Sequence, residues 1–407
     1  MGKSLLFGWH AICSLKYYNL QIVTIGRLKL KGVSEMKIGL LKEIKENEYR
    51  VAIIPSNVAK LVEAGHIVYV EHDAGTAAGF TDDMYIEKGG VILDDASQIY
   101  KEAEFIVKVK EVLPQEFDLL EEKHTIFTYI HSANRRPQTE ALLNSKCVAF
   151  AYEDVRDKNT GRQVLLEPMS RIAGEIGLLT GVFYSFTTEG GLGRLICGNP
   201  GIKPMKIVIF GAGFVGVAAA RLAVRLNADV VLMDTDIRKL ENVMDNQLEH
   251  VRTCYSNKAN IEKEISDADL VINAVKWFPG LRLISKEQLK LMQPNALIVD
   301  IDAEPNGGIE TSRYTTHENP VYYVEGIRHI CIANLPSSVA NTASAALSNA
   351  TIGYIMEIAD KGWKQAAADN ENLKYGLDFV KGNLTFKDTA DAFNIKLVDK
   401  ELFLNEF

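Results

Sequence analysis

The stretch KIVIFGAGFVGVAAARLAVRLNADVVLMD, residues 206–234, decides how the rest of the chain is read. It opens on an apolar run, Ile207 to Phe210, of the kind a buried parallel strand needs. Gly211, Gly213 and Gly216 follow in G-x-G-x-x-G spacing. An Ala-rich helical segment, Val217 to Leu226, comes next, and a second β-rich run ends at Asp234. Each part has a task in dinucleotide binding. Gly211 permits the tight turn, Gly213 lets backbone approach a pyrophosphate, and Gly216 allows a helix to pack closely on a strand. The helix N-terminus offers free N–H groups and a positive dipole end to phosphate. Asp234 stands where a carboxylate accepts from both ribose hydroxyls and repels a 2′-phosphate, which selects NAD over NADP. Glycines that merely turn a corner are the plain alternative. The flanking strand, helix and acid together argue against it.

A chain of 407 residues, 47% hydrophobic and 24% charged, is long enough for two or three domains with substantial cores. The net charge of −8 and the absence of a basic face exclude nucleic acid as the expected partner. No apolar run approaches the roughly 20 residues that span a bilayer, so no membrane partner is expected. The five cysteines are scattered without metal-like spacing, as in a reduced cytoplasmic protein with no metal site. Residues 1–35 carry five basic residues and no acid before Glu35, and they lack a clean signal-peptide core. They read as an extension outside the working fold. The first strand begins just after Met36.

Between Lys37 and Cys147 short apolar runs alternate with helical patterns. Strands are predicted at 37–41, 67–71, 105–109 and 125–130. Helices are predicted at 56–64 with Ser56 as cap, at 81–88 with Thr81 as cap, and at 138–144. Such alternation implies an α/β fold with a parallel sheet covered by helices. A long helix follows Pro168 and runs to Gly190-Gly191, of the kind that joins domains. The nucleotide unit continues with a short helix around 261–265 and strands at 270–275, 296–300, 321–324 and 330–333. A helix capped by Ser285 is predicted at 285–292. A small-residue-rich helix over 342–361 leads back to the first domain, and the tail holds one further helix.

Ligands of open parallel sheets sit beyond the carboxyl ends of the strands. That rule picks out Arg50, a candidate carboxylate clamp, and Lys108 with Lys110 at the end of an apolar strand. It also picks out His131, a candidate acid/base near neutral pH, and the acids Asp300, Asp302 and Glu304. Each has a bland reading as a solvated or structural residue. Together they place Arg, Lys, His and an acid around one cleft facing a dinucleotide, which suits hydride transfer to a small carboxylate-bearing substrate.

From Met36 to about Leu397 the chain resembles the alanine dehydrogenase/pyridine nucleotide transhydrogenase family, on its alanine dehydrogenase branch. The stretches that carry the likeness are KEIKENEYRV (42–51), IVKVKE (106–111), FTYIH (127–131), AYEDV (151–155), EPMSRIAG (167–174), GAGFVG (211–216), ETSRYTTHENP (310–320) and CIANLP (331–336). The resemblance implies two Rossmann-like doubly wound domains. The substrate domain, 36–166 and 342–407, would be split around an NAD-binding domain, 167–341. It implies NAD-dependent interconversion of L-alanine with pyruvate and ammonia in a cytoplasmic homohexamer, a step of amino-acid catabolism. Arg50 and Lys110 would bind the substrate carboxylate and carbonyl, and His131 would be the acid/base. Ser170, Asp234 and Asn334 would contact NAD. Ammonia would attack the carbonyl of bound pyruvate to give a carbinolamine, which loses water to an imine that hydride then reduces.

Three stretches depart from the pattern. VDIDAEPNGG (299–308) is one residue longer than the family's VDIAIDQGG, so the catalytic Asp position falls on Glu304. KWFPGLRLIS (276–285) is about two residues short and brings Lys276 and Trp277 to a loop that borders the nicotinamide in relatives. SSVANTAS (337–344) lacks a proline before Thr342. These departures keep two alternatives open: a dehydrogenase of another amino or 2-oxo acid, and a transhydrogenase-like NAD(H)-binding module.

Overall fold

Alternate residues of the central strands enter different cores, which is why these strands read as unbroken apolar runs. Phe105 and Val107 pack into one hydrophobic cluster and Ile106 into another. Ile207 and Ile209 are likewise separated from Val208 and Phe210. A strand apolar on both faces needs helices on both, and a parallel sheet with crossover helices provides them. The computed structural model describes residues 35–246 and 248–405. The extension expected at the N-terminus lies, except for Glu35, outside the described residues.

The first sheet begins with β1 (Lys37–Leu40), β2 (Ile67–Glu71), β3 (Val91–Leu93), β4 (Phe105–Val107), β5 (Thr125–Thr128) and β6 (Val148–Ala151). They are parallel, in the order β3-β2-β1-β4-β5-β6. The second sheet holds β7 (Lys206–Phe210), β8 (Asp229–Asp234), β9 (Val251–Tyr255), β10 (Leu270–Asn273), β11 (Leu297–Asp300), β12 (Val321–Val324) and β13 (Ile327–Ile330). Its order is β9-β8-β7-β10-β11-β13-β12, with only β12 antiparallel among these described strands. Strands β14 (Leu377–Val380) and β15 (Asn383–Leu384) return from the C-terminal part and extend the first sheet antiparallel beyond β6. Both sheets are doubly wound. The strand order reverses between β1 and β4 in one and between β7 and β10 in the other, and each reversal opens a crevice at the strands' carboxyl ends.

The helix Glu167–Tyr184 lies against the helix Phe214–Arg225 of the second sheet. A Cβ on Gly174 would stand 2.0 Å from the Val215 carbonyl oxygen, so only glycine permits this approach. The helix stops at Tyr184, short of Gly190. The helical segment Ala340–Asp369, broken at Gly362 where φ is +76°, then crosses back to the first core through Ala343, Leu347 and Ile355.

Several local expectations need correction. Pro55 starts the first helix, so Ile54 is its N-terminal cap and Ser56 is exposed one position too late. Thr81 precedes its helix but makes no side-chain cap bond. The segment after Ser285 is a short 3-10 turn, Glu287–Leu291. The strand expected at 330–333 is Ile327–Ile330, paired with β12 in a hairpin whose turn residues, Glu325 and Gly326, both have positive φ. Among the described residues the C-terminal part after Asp369 holds two strands and three helices, Glu371–Tyr375, Lys387–Phe393 and Glu401–Leu404, where one helix was expected.

Candidate active site

The crevice of the first sheet is flanked by the chain leaving β1 and the chain leaving β4, which carry Arg50 and Lys110. Arg50 is 2% exposed. Its guanidinium forks onto Glu48, with Nε 2.7 Å from Oε1 and Nη2 2.5 Å from Oε2. Nη2 also donates to Asn334 Oδ1 at 2.9 Å. Burial opposes the charge on Glu48, but the guanidinium outweighs it and holds the carboxyl below the usual range. Lys110 Nζ stands 4.0 Å from Glu48 Oε2, on a side chain only 15% exposed. Burial, aided by the Arg50 charge, pushes its pKa down to about 8.

His131 follows β5, next in the sheet after β4. Its φ is +49°, in the left-handed region. Glu153, from the segment after β6, maintains that turn by accepting the Ile130 N–H at 3.1 Å and the His131 N–H. The same carboxylate lies 3.4 Å from His131 Nδ1. The imidazole stacks on Tyr129 at 6.0 Å and remains 42% exposed on the cleft side. The desolvating cleft wall and then the Lys110 charge push its pKa down to about 4, so the ring is neutral at pH 7. Lys108 does not join this group. It is fully buried and bonded to Glu116 at 2.5 Å, so the expectation that it meets a ligand with Lys110 fails.

In the second sheet, Gly211 has φ +97°, and a Cβ there would meet the Ala274 carbonyl oxygen at 2.8 Å. A Cβ on Gly216 would stand 1.8 Å from the Gly211 oxygen, whereas one on Gly213 meets nothing within 4 Å. The turn and the helix packing therefore require two of the glycines, and the third faces open space. That space is a cleft of about 300 Å³ bordered by Ser170, Gly213, Phe214 and Ala274. Asp234 ends β8 beside it, accepting from the Ala212 N–H and the Asp236 N–H at 2.8 Å each. A dinucleotide fits this cradle: open backbone for phosphate and a fixed carboxylate one strand away for ribose.

The family model for the N-terminal domain of alanine dehydrogenase/PNT matches residues 39–173, and that for its C-terminal domain matches 178–387. The chain belongs to the alanine dehydrogenase/PNT family. It is 42% identical to the alanine dehydrogenase of Methanococcus maripaludis over 91% of this chain and 100% of that one. With the alanine dehydrogenase of Halomonas elongata it shares 38% identity over 89% of this chain and 98% of that one. A solved L-alanine dehydrogenase superposes with TM-score 0.83 at 38% identity, covering 88% of this chain and 99% of that one. The two-sheet Rossmann-like architecture is that of this family.

Against the family pattern, the acids after β11 separate. Asp300 is buried, accepts from Asn273 Nδ2 at 2.8 Å and from the Ser312 hydroxyl, and is raised by burial to about 6. Asp302 accepts the Trp277 N–H at 2.8 Å, tying the two altered loops together. Glu304 is exposed and takes a hydrogen bond from the Tyr314 hydroxyl. Asn334 reaches the first sheet's site. Its Nδ2 donates to Asn47 O at 3.1 Å and to Glu48 Oε2 at 3.0 Å. Sequence reading missed Glu48 and Glu153. Their signal was present, an acid two residues before Arg50 and one in the segment after the strand beside His131's, but nothing local says that either is buried.

The cradle yields a prediction. Asp234→Ala is expected to weaken NAD binding about tenfold and to narrow the preference over NADP, because one ribose acceptor and the repulsion of a 2′-phosphate go together. Calorimetric titration with both nucleotides checks it; an unchanged NAD/NADP ratio would remove Asp234 from cofactor choice.

Proposed function

We propose that the protein is an NAD-dependent alanine dehydrogenase. It converts L-alanine, water and NAD⁺ to pyruvate, ammonium, NADH and a proton, and runs the reverse reductive amination. The observation that carries this reading is the meeting of Arg50, Lys110 and His131 beyond three adjacent strands of the first sheet. Asn334 joins them from the sheet that bears the dinucleotide cradle. Ser170, Gly211, Gly213, Gly216 and Asp234 would hold NAD, which when bound supplies the hydride chemistry.

The remaining roles belong to the chain. Arg50 and Lys110 present two positive charges to a 2-oxo acid, Arg50 for the carboxylate and Lys110 for the carbonyl oxygen. His131, neutral and supported on its Nδ1 side by Glu153, takes the proton from water or amine at Nε2 as C–N bonds change. Glu304, exposed on the loop after β11, would serve as the further acid, a role that rests on the family pattern alone. We divide the chain into a substrate domain, 36–166 with 342–407, and an NAD domain, 167–341. The exposed Leu179, Phe183 and Phe186 around the end of one helix support self-association at that face; the homohexamer and the cytoplasmic location follow from the family reading alone.

The direct test is NADH oxidation with pyruvate and ammonium. Turnover only with another oxo acid or amine would shift the reading to a sister dehydrogenase, for which the Trp277 and Glu304 loops are the motive. NAD(H) binding with no turnover on any substrate would favour a binding module. The Lys110 ammonium supplies a pH test. It is cationic below about 8 and loses its charge above. With free ammonia held constant, loss of that charge is therefore expected to add one further tenfold-per-unit fall in kcat/KM for pyruvate above about pH 8, on top of the dependence set by His131 protonation. Lys110→Arg should move that limb out of range; an unmoved limb belongs to another group.

A further inference from the structure

Glu111 follows Lys110 at the end of the β4 segment and is 1% exposed. Its Oε1 accepts from Lys45 Nζ at 2.6 Å and is ion-paired with Arg135 Nη2 at 3.0 Å. Lys45 belongs to the loop that ends in Arg50, and Arg135 to the turn that begins with His131. Both cations reach inward from the rim, at 32% and 38% exposure, while the acid alone is sealed. Glu43 makes a second stitch between the same loops. Its Oε1 accepts the Val109 N–H at 2.6 Å and the Lys110 N–H at 3.3 Å. The Glu111 charge acts on both Lys110 and His131, raising each against the burial that lowers them. Its Oε2 and the Arg135 Nε have no hydrogen-bond partner among the described residues, so the pair is not saturated as an isolated structural ion pair would be.

We infer that Glu111 is a positioning residue for substrate recognition, clamping the loops of Arg50, Lys110 and His131 into one unit through Lys45 and Arg135. The inference rests on the proposed roles of those three residues. Adjacent strands place the loop roots side by side, but loops have no fixed spacing of their own. One buried carboxylate held by a cation from each neighbour supplies that spacing, since either cation leaving strands a charge in a poor dielectric. The clamp acts on the geometry of oxo-acid binding and leaves the dinucleotide cradle alone.

The test compares Glu111→Ala, Glu111→Gln and Arg135→Met with Arg50→Lys in the full-length enzyme. Readouts are pyruvate KM, kcat, NADH affinity and amide exchange. Glu111→Ala is expected to raise pyruvate KM at least tenfold with NADH affinity within twofold. Exchange should quicken together over 41–50, 108–113 and 129–135. Glu111→Gln should fall between it and wild type. Arg135→Met should shift KM in the same direction, and the Glu111→Ala/Arg135→Met double variant should cost no more than Glu111→Ala alone. If Glu111→Ala does not fold, Arg135→Met and Lys45→Met read the two arms separately. An unchanged pyruvate KM in these variants while Arg50→Lys raises it would overturn the clamp and leave the site intact. An unchanged KM in Arg50→Lys would instead overturn the site reading.

Discussion

Replacing His131 by Ala is expected to lower kcat by about 10³-fold, the scale of a lost general acid/base, with NADH affinity within about twofold. The separation of effects follows from position. His131 stands beyond β5 of the first sheet, whereas the dinucleotide cradle belongs to β7 and β8 of the second. Its pKa, near 4, leaves the ring unprotonated at pH 7, the form that accepts a proton during alanine oxidation. In the reductive direction the ring must first gain a proton, which a bound substrate carboxylate would favour by adding negative charge. Because His131 has φ +49°, Ala also strains the turn. Asn tolerates that conformation far better, so His131→Asn separates backbone from chemistry. Loss of turnover in both variants points to the imidazole. Wild-type kcat in His131→Asn would remove the residue from the mechanism.

What the sequence disclosed, and what it hid, divides along physical lines. The nucleotide cradle was legible because its demands are local. Gly211 needs a positive φ, Gly216 needs the absence of a Cβ within 2 Å of a carbonyl, and both are written in the residue type. Lys110 and His131 were legible as candidates because a polar residue just beyond an apolar strand is visible in one dimension, and Arg50 as a guanidinium in the charged loop after the first strand. The acids that organise them were not. Glu48 lies among seven residues, KEIKENE, of which five are charged, and only the fold makes it buried while Glu46 stays exposed. Glu111 and Glu153 owe their roles to strand order, which brings β4, β5 and β6 side by side. The same limit explains Lys108. It is two residues from Lys110 and alike in sequence, yet it is enclosed with Glu116 and Tyr100. The missed strands have two causes: β9 (VRTCY) at a half-exposed edge and β14 with the buried Asp378 in its middle are thin in apolar content, whereas β3 (VIL) and β6 (VAFA) are wholly apolar but only three and four residues long, too short to show a period.

Arg50 should show the second large effect. Arg50→Lys keeps the charge but loses the fork that holds Glu48 with two bonds and Asn334 with a third. Removing part of a buried, hydrogen-bonded charge pair costs about 3 kcal/mol, which corresponds to about a hundredfold in affinity. Pyruvate KM is expected to rise by that factor, with NADH affinity little changed. Arg50→Ala goes further and strands the Glu48 carboxylate, at about 3–5 kcal/mol of folding stability. The pH dependence fixes the cause. In the wild-type protein the Glu48 pKa lies below its unfolded value, so the pair stabilises the fold above that value and ceases to do so as pH falls through the folded one. Without the guanidinium, burial is opposed only by Lys110 and Asn334, so the Glu48 pKa rises from its wild-type position, and the variant's deficit is greatest at neutral pH and shrinks as Glu48 protonates. Urea denaturation of both proteins at pH 7 and pH 5 measures it. A deficit independent of pH would mean that Arg50 acts by packing on Met169 rather than through Glu48, and an unchanged pyruvate KM in Arg50→Lys would move the carboxylate site elsewhere in the cleft.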